Sequence, residues 1–286
     1  MKSKNTQLDK DAIKYVEGVV RCAGSSFYWS MRCLSKNKRL AMYAIYAFCR
    51  EVDDLVDDAG NIEEKISGLN LWRDEIKFLY EGCPSNEVSR ALLNPVREFN
   101  LHKEDFNAVI DGMEMDASEI VRISDMEELN LYCDRVASAV GRLSIKVFGL
   151  GEDIGKALAF SQGQALQLTN ILRDINEDAQ CNRLYIPNDL LISYGIINKN
   201  LDAILIDPAF EEVCRDIANI AENHFYRADE LVAQCEAKLI RPAIMMMEIY
   251  RRIFIRLKRR GWKKLSHPVD LGKFHKILIA CRYGIL

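Results

Sequence analysis

Apolar residues return every third or fourth position along almost the whole chain, and no stretch alternates convincingly enough to read as a strand. That period restricts the chain to helices that each bury one face. Helices are predicted over Asp9–Cys22, Phe27–Leu34, Asn37–Asp58, Ile62–Tyr80, Glu87–Phe99, Asp105–Ala117, Leu129–Gly149, Ile154–Ala179, Ala209–Ala237 and Arg241–Arg259. Pro95 is expected to bend the fifth of these. Gly and Pro number only 15 and 6 in 286 residues, and no Ser/Gly/Pro-rich linker interrupts the pattern. Residues 1–286 therefore read as one all-α domain.

Two of the predicted helices end in acidic ladders. Asn170, Asp174 and Asp178 stand at i, i+4 and i+8, stacked on one face, while Leu168, Ile171, Leu172 and Ile175 form an apolar stripe expected on the opposite side. Upstream, the apolar run Leu40–Phe48 leads into Cys49-Arg50-Glu51-Val52-Asp53-Asp54-Leu55-Val56-Asp57-Asp58. There Asp53 and Asp57 share one face, and Asp54 and Asp58 repeat the spacing one residue round. Carboxylates so placed repel by about 0.2–0.5 kcal/mol per exposed pair. Either these faces are solvated or a cation sits on them. The all-oxygen ligand set suits a hard ion, and Mg²⁺ completes its octahedron with water and substrate phosphate. Two ladders, each closing an apolar helix, can clamp Mg²⁺ around a diphosphate, which is Lewis-acid help to a leaving group.

These residues resemble a known family. D-D-x-x-D at Asp53–Asp57, preceded by Tyr46-Ala47-Phe48-Cys49-Arg50, is similar to the first aspartate motif of squalene and phytoene synthases. L-T-N-I-L-R-D-x-x-E-D at Leu168–Asp178, followed by R-L-Y-I-P at Arg183–Pro187, is similar to the second. Tyr132-Cys133-Asp134-Arg135-Val136-Ala137-Ser138-Ala139-Val140-Gly141 resembles the family's Y-C-x-x-V-A-G-x-V-G, with Ser138 where many members have Gly. That wording, with G-S-S-F-Y at Gly24–Tyr28 and D-G-M-E-M-D at Asp111–Asp116, is most like the bacterial branch that makes presqualene diphosphate for hopanoids.

The resemblance, which runs from about Gly24 to Arg260, implies the isoprenoid-synthase fold, with helices around a central cavity. It also implies head-to-head joining of two farnesyl diphosphates. Mg²⁺ would be held by Asp53, Asp57, Asn170, Asp174 and Asp178. Substrate would meet Ser25, Ser26, Phe27, Arg50, Gln167, Asn170, Arg183 and Tyr250, with Tyr132 and Tyr185 near the reacting carbons. For the Gly24–Phe27 segment a plain helix cap is the other reading, since Ala23 and Gly24 stand where many relatives carry basic residues. Phytoene or dehydrosqualene synthesis uses the same motifs. A reductive squalene synthase is not expected, because eukaryotic members carry a C-terminal membrane anchor and none is visible here. A non-catalytic scaffold would be expected to lose motif aspartates, and both motifs are intact.

Charge and cysteines set the remaining bounds. Net charge is −3, yet Arg241–Leu286 holds twelve Lys/Arg against two Asp/Glu. Eight of those basic residues lie between Arg251 and Lys264, interleaved with Ile253, Phe254, Ile255, Leu257 and Trp262. Such a segment is either a solvated surface or a peripheral contact with anionic lipid. No nucleic-acid partner is expected. Asp111, Glu114 and Asp116 read as a solvated face. The nine cysteines show no C-x-x-C pair, no signal-peptide core opens the chain, and no run reaches the ~20 apolar residues of a membrane span. A cytoplasmic protein with reduced thiols is the expectation.

Overall fold

The computed structural model describes residues 2–23, 27–57 and 60–272, together with 279 and 282. Among them the apolar period becomes α1 (Lys2–Cys22), α2 (Phe27–Arg32), α3 (Lys36–Asp57), α4 (Ile62–Glu81), α5 (Glu87–Glu98) and α6 (Lys103–Asp116). A two-residue strand β1 (Val121–Arg122) precedes α7 (Met126–Cys133), a π-helical turn (Asp134–Ser138) and α8 (Ala139–Phe148). The long α9 (Glu152–Gln180) leads into β2 (Arg183–Leu184) and the short helices α10 (Asn188–Ser193) and α11 (Leu201–Leu205). Helices α12 (Phe210–Val232) and α13 (Ala237–Arg260) follow.

Three expectations need correction. Leu129–Gly149 is not one continuous helix, because the π turn divides it. Ala209–Ala237 stops at Val232, and α1 begins well before Asp9. Neither the β1–β2 ribbon nor α10 and α11 were anticipated. The ribbon is parallel, pairing Val121 with Arg183 and Arg122 with Leu184, and is too short to show a periodicity. Pro95 sits in the last turn of α5, where only the helix end follows it.

Helix α9 is the central element, packed against α7, the π turn, α8, α12 and α13. Its Leu158, Ala165, Leu168 and Leu172 are completely buried. Full burial of one such leucine stabilises by about 1.5–3 kcal/mol relative to exposure. Helix α3 buries Ala44, Ile45, Ala47, Phe48 and Val52 against α1, α5, α6 and α8. Phe48 meets Trp72 and Phe106 edge-on, with centroids 5.4 and 5.1 Å apart. Truncating it to Ala should cost about 3–5 kcal/mol.

Two glycines let the π turn approach its neighbours. A Cβ at Gly163 of α9 would stand 2.7 Å from the Ser138 backbone. One at Gly112 of α6 would stand 2.6 Å from Val136 Cγ1. The turn is thus wedged between α6 and α9.

Candidate active site

The C-terminal ends of α3 and α9 face each other across a cavity of about 530 Å³. Asp53, Val56 and Asp57 line it from α3, and Gln167, Asn170, Ile171, Arg173, Asp174 and Asp178 from α9. The end of α9 explains how Arg183 joins them. Asn182 takes φ 57, the left-handed conformation that asparagine tolerates, and turns the chain back. Arg122 of β1 donates to both the Asn182 carbonyl (2.6 Å) and its Oδ1 (2.8 Å), so the turn is held. Arg183 then reaches across to Asp57 Oδ1 at 2.9 Å.

Guanidinium groups occupy most of the acidic ladders. Arg50 pairs with Asp53 at 3.2 Å and with Asp54. Arg173 grips its neighbour Asp174 through two bonds of 2.7 and 2.6 Å, and also hydrogen-bonds Tyr250. Burial, then the charge of Asp57 one turn away, pushes the Asp53 carboxyl up to about 6. Burial, then Asp174, pushes Asp178 up to about 7. Both shifts come first from lost hydration, with a like charge one turn away adding to it.

Among the described residues, no three His, Cys, Asp or Glu side chains converge into a ready-made metal cage. The donor set nevertheless fits a hard divalent cation. All ladder ligands are oxygen, and five carboxylates on the wall face three guanidinium groups. Asn170 Nδ2 donates to Gln167 Oε1 at 3.3 Å, while its Oδ1 is buried without a hydrogen-bond partner. An orphaned buried carbonyl oxygen costs about 1–3 kcal/mol, a cost that a cation would remove.

Phe27, Val56, Met113, Val136 and Ile171 add apolar side chains to the same wall. Tyr132 and Tyr185 are stacked there, ring centroids 4.8 Å apart and planes at 20°. Both hydroxyls donate to Asp116, Tyr132 to Oδ2 and Tyr185 to Oδ1, each at 2.8 Å. Burial, then the neighbouring Asp116 charge, raises both phenols above their ordinary value, so they remain protonated.

The cavity wall therefore includes Phe27, Arg50, Asp53, Asp57, Tyr132, Gln167, Asn170, Asp174, Asp178, Arg183, Tyr185 and Tyr250. Ser25, Ser26 and Asp58 lie outside the described residues. Ile171 is not on the far side of α9 but on the cavity wall. Asp116 is not solvated either: it is 5% exposed. Asp111 and Glu114 do keep to the outer face, where both pair with Arg73. Arg173 and Asp116 are the polar wall residues that sequence reasoning passed over. For Asp116 a signal existed, because it continues the buried stripe Phe106, Val109, Ile110, Met113 at helical spacing while Asp111 and Glu114 fall off it.

The basic C-terminal helix also differs from expectation. Ile253, Phe254, Leu257 and Trp262 belong to the core, and only Ile255 of that set is exposed. Arg251 and Lys258 pair with Asp229 and Glu222 of α12. Among the described residues no helix is long and apolar enough to cross a membrane.

A profile of the squalene/phytoene synthase family matches residues 20–275. Over 263 residues the chain is 43% identical to the presqualene diphosphate synthase of Rhodopseudomonas palustris, covering 92% of this chain and 94% of that protein. It is 47% identical over 251 residues to the presqualene diphosphate synthase of Zymomonas mobilis, covering 87% and 85%. The fold superimposes on a crystal structure of a dehydrosqualene synthase in complex with ligand with a TM-score of 0.83 at 25% identity, covering 98% of this chain and 97% of that one.

Proposed function

The chain belongs to the squalene/phytoene synthase family of prenyltransferases, and from that premise we propose that it joins two farnesyl diphosphates head to head into presqualene diphosphate, releasing one diphosphate. The observation that carries this reading is one cavity whose wall combines two acidic ladders and three arginines with the apolar side chains of Phe27, Val56, Met113, Val136 and Ile171. A diphosphate needs the first and a polyprenyl chain needs the second.

Asp53, Asp57, Asn170, Asp174 and Asp178 would hold the divalent cation, assigned as Mg²⁺, which when bound supplies Lewis-acid charge to a departing diphosphate. Arg50, Arg173 and Arg183 exchange a carboxylate for phosphate oxygens as substrate enters, since planar guanidinium groups suit both. Ser25 and Ser26 are assigned to a diphosphate from the sequence alone. Phe27, Val56, Met113, Val136 and Ile171 hold the hydrocarbon and exclude the water that would quench an allylic cation. The faces of Tyr132 and Tyr185 border the same space, where a cation over an aromatic ring gains about 0.5–2 kcal/mol. Residues 1–286 act as one domain on this reading, since its hydrophobic core runs from Val16 of α1 through Leu257 of α13 without a break.

A second reading, dehydrosqualene synthesis, is favoured by the overlay on an enzyme of that name. Incubation with farnesyl diphosphate and Mg²⁺, without NADPH, followed by mass analysis separates the two. A thirty-carbon product that keeps its diphosphate is expected. A thirty-carbon hydrocarbon would favour the second reading, and faster formation of a forty-carbon hydrocarbon from geranylgeranyl diphosphate would move the chain to phytoene synthesis.

A further inference from the structure

The geometry points to Asp116 as a positioning residue that orients both cavity tyrosines and, through Tyr132, takes up the proton released when the product ring closes. This rests on the proposed condensation. Asp116 is the last residue of α6, 5% exposed, and lies on the cavity wall rather than in the packed core. Each carboxylate oxygen receives one phenol: Oδ2 from Tyr132 and Oδ1 from Tyr185. The three residues come from the end of α6, from α7 and from the segment just after β2. The β1–β2 ribbon brings two of them together, since β1 follows Asp116 and Tyr185 follows β2 directly. That otherwise minimal ribbon thus has a purpose at the site.

The direction of the hydrogen bonds carries the chemistry. Both phenolic protons are committed to Asp116, so the phenol oxygens offer lone pairs, not protons, to other partners. A buried carboxylate is costly unless donors surround it, and a core polar network could be satisfied anywhere. Here it sets one fixed negative charge on the wall of the cavity in which an allylic cation would form.

In the closing step a C–H bond on the carbon 1,3 to the cationic centre breaks, and its electron pair forms the last C–C bond of the cyclopropane. The proton passes to Tyr132 Oη as the Tyr132 hydroxyl proton moves to Asp116 Oδ2. Cation and carboxylate are both neutralised, and Tyr185 keeps Oδ1 in place. The proton leaves Asp116 for water after product release. Burial pushes this carboxyl up to about 6 even though two hydroxyls donate to it, so it is ionised at neutral pH yet more basic than an ordinary aspartate.

The test is Asp116→Asn in the full chain, incubated with farnesyl diphosphate and Mg²⁺. Two quantities are read: diphosphate released, and the ratio of thirty-carbon product to fifteen-carbon alcohols formed by water capture. Positioned proton transfer contributes about 10²–10⁴-fold. The ratio should fall on that scale, with the circular-dichroism spectrum retained and with partial recovery in Asp116→Glu. A merely structural aspartate would slow all products together and leave the ratio alone, which would overturn the inference. Should Asp116→Asn not fold, Tyr132→Phe leaves the carboxylate and Tyr185 in place; the same fall is expected, and an unchanged ratio counts against the relay. A wild-type chain that releases no diphosphate from farnesyl diphosphate contradicts the proposed function instead, so the two failures are distinct.

Discussion

At the scale of single residues, the site is a contest between carboxylates and guanidinium groups that a substrate diphosphate would reset. Asp53→Asn and Asp174→Asn each remove a proposed cation ligand and free an arginine. Each should lower turnover by several orders of magnitude while leaving the far-ultraviolet spectrum nearly unchanged, because neither side chain supports the core. Loss of helical signal in either variant would instead mark that carboxylate as structural. The raised carboxyls give a pH prediction. Asp53 at about 6 and Asp178 at about 7 lie above the unfolded value near 3.9. Such groups bind protons more tightly in the folded state, so they weaken the metal-free fold as pH rises through 6–7 and cost nothing below about 4. Through these groups, melting in EDTA should show a lower Tm at pH 8 than at pH 5.5. Mg²⁺ should raise Tm more at pH 8 than at pH 5.5, since protons compete with it at low pH. An equal Mg²⁺ shift at both pH values would contradict the assignment of these two carboxylates.

At the scale of elements, the ladders were legible because i, i+4 spacing on an apolar helix is a strong local pattern. What local pattern cannot express is which long-range neighbour a helix meets. The π turn at Asp134–Ser138 shows this. Its residues have ordinary helical spacing, and only the close approach of Gly112 and Gly163 reveals that one extra residue is accommodated there. Gly163→Ala should destabilise by about 1–3 kcal/mol, read from denaturant unfolding, because its Cβ would meet the Ser138 backbone as well as its hydroxyl, and the backbone cannot rotate away. An unchanged midpoint would mean that the turn is free to shift. Helix α13 makes the complementary point. Its basic charges were evident, but the burial of Phe254 and Trp262 was not, because an amphipathic face looks the same whether it meets core or lipid. We propose that any membrane contact is electrostatic only, through exposed Arg259 and Lys264. Co-sedimentation should then require anionic vesicles and vanish at high salt, and equal binding to neutral vesicles would exclude it.

At the scale of the whole molecule, the fold class followed from period alone, and the pairing of the two ladders followed from their shared chemistry. The Tyr132–Asp116–Tyr185 unit did not, since it depends on a ribbon of two residues per strand that no sequence window contains. The cavity joins both features on one wall: charge from the ends of α3 and α9, and the tyrosines with a set of apolar side chains. If the two ladders activate only one of two diphosphates, the stoichiometry is set by the molecule and not by added reductant. The decisive measurement is diphosphate released per farnesyl diphosphate consumed, with and without NADPH. One diphosphate for every two substrates, in both conditions, with the second retained on a thirty-carbon product, is the predicted result. Two diphosphates released for every two substrates, with a thirty-carbon hydrocarbon as product, would contradict it.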